Sequence, residues 1–235
     1  MKKAKKTVLH WSGGKDSAVA LYRLLSDETL SVELLLTTVD QNTGRVTMHG
    51  VRRELIKRQS EALGIPIEFL ELPENPSMEA YRKIFTEKLN DLSDRGFKVS
   101  AFGDIHLEDL KEYRNNLLTG TGLEAAFPIW QKKPLQLIRE FIQDGFKALL
   151  VCINREKLGE SFLGAELDHK MLERLPDSVD PCGENGEYHS FVYDGPLFNS
   201  TVKIGRGTIY KKLFSNPESD SEGKDKIHFD YLDII

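Results

Sequence analysis

Apolar residues alternate between strand-like runs and helical spacings over the first two-thirds of the chain. Val8 to Trp11 reads as a buried strand. From Asp16 onward, Ala20, Leu21, Leu24 and Leu25 recur at helical intervals. A second strand is predicted over Val32–Val39 (VELLLTTV), followed by a helix over Arg52–Gly64 that Gly64 stops as a C-cap. Ile65–Leu72 is a third strand. Ser77 caps a long helix that Gly96 closes, and Lys98–Asp104 (KVSAFGD) is a fourth strand ending in a carboxylate. A helix over Leu107–Gly122, a short strand or extended turn over Glu124–Trp130, a helix from Pro134 to Gly145 and a strand over Lys147–Ile153 complete the series. Strand and helix in alternation from Thr7 to about Ile153 predict an α/β fold, a doubly wound parallel sheet with helices on both faces.

Beyond Ile153 the pattern changes. Asp177–Phe198 is rich in turn formers, and Ser200–Phe214 and Asp225–Ile235 read as strands. The polar Ser215–Asp225 between them reads as a mobile loop. A smaller C-terminal α+β unit is therefore expected from within Leu123–Pro134, dividing the chain into 1–125 and 126–235. No internal repeat is visible.

The strand ends carry the chemistry. In an open parallel sheet, ligands bind beyond the carboxyl ends of the strands. The first strand runs into Ser12-Gly13-Gly14-Lys15-Asp16-Ser17 and then directly into a helix, so this loop and Asp104 can face one crevice. The loop is not a Walker A loop: Asp16 follows Gly14-Lys15, and no glycine stands five residues before Gly14. The dinucleotide G-x-G-x-x-G pattern fails as well. The physics still favours phosphate. Two glycines let backbone N–H groups approach oxygens, and the helix start adds the positive end of its dipole. Ser12 and Ser17 offer hydroxyls and Lys15 a mobile charge. Asp16 beside a phosphate needs a bridging cation, which implies Mg²⁺.

A second cluster, Glu184, Glu187 and His189, surrounds Gly183 and Gly186. Carboxylates close to an imidazole could bind a cationic substrate, position ammonium or act as a general base; a hairpin turn with solvated acids is the plain alternative. The spacing fits no EF-hand, and Cys182 with His189 lacks the further ligands of a zinc site. A Cys182–His189 nucleophile pair is conceivable, but nothing local marks the thiol as activated.

Composition narrows the reading. The chain has 235 residues, 40% of them hydrophobic, enough for one sizeable core. Thirty-two basic against 37 acidic residues give a net charge of −5, so stable nucleic-acid binding is not expected. Cys152 and Cys182 make no disulfide framework; Cys152 lies in an apolar strand pattern and reads as a core thiol. The basic MKKAKK start leads into too short an apolar run for a signal peptide, and no stretch reaches the ~20 apolar residues of a membrane span. A soluble, reduced, cytoplasmic protein is expected.

The Ser12–Ser17 hexapeptide resembles the PP-loop of the N-type ATP pyrophosphatases. Together with Gly183-Glu184-Asn185-Gly186-Glu187, Met48–Arg52 (MHGVR) and Phe102–Arg114 (FGDIHLEDLKEYR), the chain resembles the diphthine–ammonia ligase family and its bacterial relatives. The resemblance runs from Val8 to Phe198, and the glutamate-rich stretch is its more specific part. It implies a nucleotide-binding fold of the adenine nucleotide α-hydrolase (HUP) type and an ATP-dependent amidation. The acceptor carboxylate, in that family a diphthine on elongation factor 2, attacks the α-phosphate of ATP; ammonia then displaces AMP. The implied ligands are ATP, Mg²⁺ and ammonia, and a homodimer is compatible with the family.

Residue by residue, the resemblance assigns Ser12, Gly13, Gly14 and Ser17 to phosphate, Lys15 to the leaving pyrophosphate and Asp16 to Mg²⁺. Thr38 and Val39, at the end of the second strand, are expected against adenine or ribose, with Met48, His49 and Arg52 closing over the nucleotide. Asp104 could hold ribose, metal or substrate, or merely cap the next helix. Arg114 could take the substrate carboxylate, and Glu108, His106 and Tyr113 lie near it in sequence. Glu184 and Glu187 are assigned to the acceptor side, against a trimethylammonium group or ammonium. His189 is a proton acceptor or a hydrogen-bonded core histidine. Two other classes compete: another PP-loop reaction, such as tRNA modification, and a nucleotide-binding module without turnover. The acidic balance disfavours the first and the retained Glu184 and Glu187 the second.

Overall fold

Val8 and Leu9 are fully buried because the strand that carries them is flanked on both edges. In the computed structural model, which describes residues 3–74, 76–215 and 226–235, β1 (Lys5–His10) pairs in parallel with β2 (Leu30–Asp40) and with β4 (Val99–Ala101). β3 (Ile67–Leu72) and β5 (Glu124–Ala126) complete a five-stranded parallel sheet of order β3-β2-β1-β4-β5. The strand order reverses at β1, so the chain winds first to one side and then to the other.

Side chains alternate across the sheet. Leu9 and Leu35 join α1 (Lys15–Leu25) and α2 (Arg53–Leu63) in one core. Val8, Leu34 and Leu36 face the opposite way, into a core with Phe85 and Leu89 of α3 (Met78–Asp94) and Leu117 of α4 (Glu108–Leu118). Helices on both faces make this the doubly wound α/β class that the alternation predicts. The capping residues act as expected. Gly64 ends α2 at φ +70°, and the Ser77 hydroxyl accepts from the Ala80 N–H at 3.1 Å. Pro134 begins α5 (Pro134–Gln143).

One part of the pattern ends earlier than the alternation suggests. β6 (Lys147–Asn154) does not extend the parallel sheet. It is an inner strand of a separate four-stranded antiparallel sheet of order β7-β6-β9-β8, with β7 (Tyr188–Asp194), β8 (Arg206–Ser215) and β9 (Lys226–Ile234). Its unbroken apolar run is what any strand buried on both faces shows, so periodicity does not tell which sheet it joins. A 3₁₀ turn at Glu160–Phe162 and the short α6 (His169–Arg174) connect β6 to β7. The two sheets share a core: Leu150, Phe191 and Val192 belong to the same cluster as Leu9 and Trp11. The loop expected at Ser215–Asp225 falls on 216–225, outside the described residues, and Ser215 itself ends β8. Among the described residues, no helix is long and apolar enough to cross a membrane.

Candidate active site

A cavity of about 420 Å³ opens where the strand order reverses, at the carboxyl ends of β1, β2 and β4. Its floor is the Ser12–Ser17 loop through Ser12, Lys15, Asp16 and Ser17; Gly13 and Gly14, expected against phosphate, do not line it. One wall comes from the β2 end and the turn after it, through Thr38, Thr47, Met48 and His49. A second comes from Asp104 and Arg114 together with His10, Tyr81 and Phe102. The third is the acidic segment, through Cys182, Glu184, Tyr188, His189 and Ser190.

The loop is shaped by close approach. Gly13 lies at φ +81°, and a Cβ there would sit 2.6 Å from Ile56 Cδ1 and 2.8 Å from Gln59 Oε1. A Cβ on Gly14 would fall 2.8 Å from His49 Cε1. The first N–H of α1, on Lys15, donates to Ser190 Oγ at 3.1 Å, so a residue of β7 serves this helix start. The Ser17 hydroxyl turns back onto the Gly14 carbonyl (2.9 Å). Above them Lys15 Nζ contacts both Asp16 carboxylate oxygens, at 2.9 and 2.7 Å, and lies 5.5 Å from the Tyr188 ring centre.

Charge in the cavity is unbalanced towards acid. Asp16, Asp104 and Glu184 line it against Lys15 and Arg114. Burial, reinforced by Asp16 and opposed by Lys15, pushes the Glu184 carboxyl up to about 8. Burial also raises Asp16, against the pull of Lys15. Burial is the largest single influence on the Lys15 ammonium and lowers it, but the neighbouring groups, Asp16 first, together raise it, so Lys15 stays charged. The imidazoles are neutral: burial brings His49 down to about 4 and His10 to about 3, and lowers His189 further below its usual range. His49 Nδ1 stands 3.2 Å from the Ser190 carbonyl, which only accepts, so the proton is on Nδ1. The His49 and His189 rings lie 4.5 Å apart, and His189 Nε2 has no partner among the described residues.

The Asp104–Arg114 pair is also incompletely satisfied. Arg114 Nε is 3.5 Å from Asp104 Oδ2, and both atoms are buried without a hydrogen bond among the described residues. Asp104 does not cap α4, whose N-cap is Leu107. Among the described residues, no group of three or more His, Cys, Asp or Glu is arranged to hold a metal ion.

Several expected site residues stand elsewhere. Glu187 is 1% exposed and does not line the cavity. Its carboxylate accepts from the Asp180 N–H (3.1 Å) and the Asn185 N–H (2.9 Å), which braces the turn that presents Glu184. Glu108 is exposed at the start of α4, away from the cavity wall. Val39 is wholly buried and bridges to Val46, leaving Thr38 as the lining residue of that strand end. Arg52, expected to close over a nucleotide, does not line the cavity and pairs with Asp233. His106 and Tyr113 are not on the wall, although His106 Nδ1 and the Tyr113 hydroxyl are buried and, among the described residues, unpartnered. Cys182 lines the cavity, but burial raises its thiol, which donates to the Pro134 carbonyl at 3.2 Å; it is no activated nucleophile.

Gln59 is the main residue that sequence reading missed. It is completely buried, and its Oε1 accepts from Trp11 Nε1–H at 2.9 Å. Its Nε2 donates to the Gly13 carbonyl (3.0 Å) and the Val192 carbonyl (2.5 Å). The Val192 N–H reaches the same Gly13 oxygen at 2.9 Å. One amide thus joins the end of β1, the glycine loop and β7. The signal was a polar residue on the apolar stripe Leu55, Ile56, Ala62, Leu63 of α2.

A parallel sheet with a glycine–lysine loop at its reversal point, walled by an acidic segment from a second sheet, defines an α/β protein of the PP-loop fold. The family comparison narrows this class. Residues 5–125 match the diphthamide synthase N-terminal domain, and residues 133–216 match the diphthamide synthase C-terminal domain. The chain belongs to the diphthamide synthase family. Among curated relatives, the Rattus norvegicus protein named diphthine–ammonia ligase is 25% identical over 219 residues, covering 82% of this chain and 80% of its own length. The Homo sapiens protein of the same name is 24% identical over 223 residues, 84% of this chain and 82% of its own. The Schizosaccharomyces pombe protein of that name is 32% identical over 95 residues; the match covers 38% of this chain and 15% of that protein.

Proposed function

We propose that this protein is an ATP-dependent ligase that adenylates a carboxylate and amidates it with ammonia. The observation that carries the reading is the joining of two segments at one cavity. The Gly13 carbonyl accepts from the Val192 N–H and the Lys15 N–H donates to Ser190, so β7, which follows the acidic segment, brings that segment against the loop. A module that only sensed nucleotide would need no such acidic wall.

In this reading 1–125 forms the nucleotide domain and 126–235 the acceptor domain. ATP and ammonia are substrates. An acceptor carboxylate oxygen attacks the α-phosphorus, the bond to the bridging oxygen breaks, and pyrophosphate leaves. Ammonia nitrogen then attacks the acyl carbon and AMP departs. Ser12, Gly13, Gly14 and Ser17 cradle phosphate, and Lys15 moves from Asp16 to the departing pyrophosphate. Thr38, Met48 and His49 flank the nucleoside. Glu184 faces the acceptor or ammonium, and His189 Nε2 is a free acceptor for a proton. Arg114, paired with Asp104, takes the acceptor carboxylate. The names of the relatives make diphthine, carried on elongation factor 2, the first acceptor to test. Mg²⁺ characteristically takes one or two carboxylates and completes its shell with phosphate oxygens and water. Asp16, partly exposed beside the loop, fits that part, and the bound ion would neutralise phosphate charge. Two buried free thiols fit a reducing, cytoplasmic setting.

The test is incubation with ATP, Mg²⁺ and ammonium, with and without diphthine-bearing elongation factor 2, measuring AMP, pyrophosphate and ADP. Factor-dependent AMP and pyrophosphate are expected, with Asp16→Ala lowering turnover about 100-fold or more. Production of ADP, or no turnover with any carboxylate acceptor, would refute the reading.

A further inference from the structure

The turn after β2 carries Thr47, Met48 and His49 on the cavity wall, and its flanking arginines tie it to the second sheet. Met48 lies at φ +63°, a left-handed conformation that a residue with a side chain keeps only when its surroundings enforce it. Its own packing does not supply the force, since Met48 is 47% exposed. Short backbone bonds close the turn, Val46 N–H to Val51 O at 2.8 Å and Gly50 N–H to Val46 O at 2.9 Å. β2 holds its near side, with Thr47 N–H to Thr38 O at 3.2 Å and the Thr38 and Thr47 hydroxyls 2.7 Å apart; its far side is seated by the second sheet.

Asp233, near the end of β9, accepts from Arg45 Nη1 and Arg52 Nε, each at 2.9 Å, and from Arg52 Nη2. The two arginines flank the turn. Arg45 Nη1 also donates to the Gly50 carbonyl (2.8 Å), and the Tyr210 hydroxyl donates to the same oxygen at 3.2 Å. Gly50, at φ +69°, rests on the stacked Tyr210 and Tyr231 rings so closely that a Cβ would meet both at 2.5 Å. The Asp233 side chain is only 9% exposed and does not touch the cavity.

We propose that Asp233 is a positioning residue for the nucleotide side of the cavity, acting through Arg45 and Arg52 on the turn that holds Met48 and His49. The inference rests on the nucleotide reading of this cavity and gives the second sheet a task there beyond supplying the acidic wall. Hydrogen bonds from Arg52 and then Arg45 hold the carboxyl down to about 2, so the clamp stays charged throughout the neutral range. Two charge-assisted pairs on one carboxylate fix direction as well as distance.

Two variants test it, Asp233→Asn and Asp233→Glu, by titration with ATP and Mg²⁺ and by amide hydrogen exchange of the unliganded protein. Asp233→Asn is expected to weaken ATP binding about tenfold, while Asp233→Glu, which keeps the charge, recovers most of the affinity. Exchange at the Val46 and Gly50 amides should rise in Asp233→Asn, with the exchange of β1 and β4 unchanged. Unaltered affinity in Asp233→Asn, unaltered exchange in the turn, or equal losses in both variants tracking a general fall in thermal midpoint would each overturn the proposal. A parent protein that binds no ATP would sink the nucleotide reading as well; normal binding in both parent and Asp233→Asn would sink the clamp alone.

Discussion

Replacing Gln59 by leucine removes an amide of similar size from the junction of β1, the glycine loop and β7. Three hydrogen bonds disappear: those to Trp11 Nε1–H, the Gly13 carbonyl and the Val192 carbonyl. Gly13 keeps its bond from the Val192 N–H, so the loss falls on the Trp11 indole and the Val192 oxygen. Each buried group left unpaired costs about 1–3 kcal/mol, and the added apolar burial returns roughly 1 kcal/mol. The expected net loss is therefore about 1–5 kcal/mol, or a fall in thermal midpoint of roughly 2–20 °C for a chain of this size. Urea titration of both proteins at one pH measures it, with the slope compared to confirm the same unfolded reference. Gln59→Glu is the companion variant. It places an acid where both neighbours are carbonyl oxygens, so its loss should be larger at pH 8 than at pH 5. A loss under about 0.5 kcal/mol in Gln59→Leu, within the scatter of surface substitutions, would refute the idea that this amide holds the loop.

Glu184 makes a pH-dependent contribution. Its folded carboxyl titrates near 8, above the ordinary 4.5, so its contribution is complete below pH 4.5 and is lost as pH rises through 8. Glu184→Gln should therefore gain stability relative to the parent between pH 5 and 9, no more steeply than ~1.4 kcal/mol per pH unit; parallel stability curves would show that Glu184 ionises normally. Gly103→Ala would place a Cβ 3.1 Å from the Asp16 carbonyl carbon and 3.2 Å from the Ser17 nitrogen, against backbone that cannot swing aside. Weaker ATP binding and a loss of about 1–3 kcal/mol are expected, and wild-type ATP affinity in a calorimetric titration would count against the tight seating of the loop.

Much of the parallel sheet was legible because each of its elements is bounded by a local signal. Gly64 and Ser77 mark their helix ends by backbone conformation and by hydrogen bonding, and both act where expected. The Ser12–Ser17 loop was legible for the same reason, since glycines, lysine and hydroxyls lie together in one stretch. What the chain hides is long-range. β6 looks like a further parallel strand until its partners are known, and those partners lie 40 to 80 residues downstream. Glu187 and Glu184 look equivalent in sequence, but a three-residue offset in a tight turn sends one to the cavity and the other beneath it. Asp233 carried no signal, because nothing near it in sequence indicates that Arg45 and Arg52 are its partners.

The position of β6 also sets an order of assembly. All five parallel strands have been made once Ala126 is synthesised, so that sheet can pair while the chain is still growing. β6 comes next but waits: β7 arrives 34 residues later, and β9, its other neighbour, only after residue 225. A chain halted before β9 would hold a complete glycine loop, yet its β6 would lack one neighbour and its Arg45 and Arg52 would lack Asp233. The nascent protein thus completes its glycine loop early and closes the cavity late, so a premature stop leaves an unpaired edge strand, open to aggregation, in place of a half-built cavity.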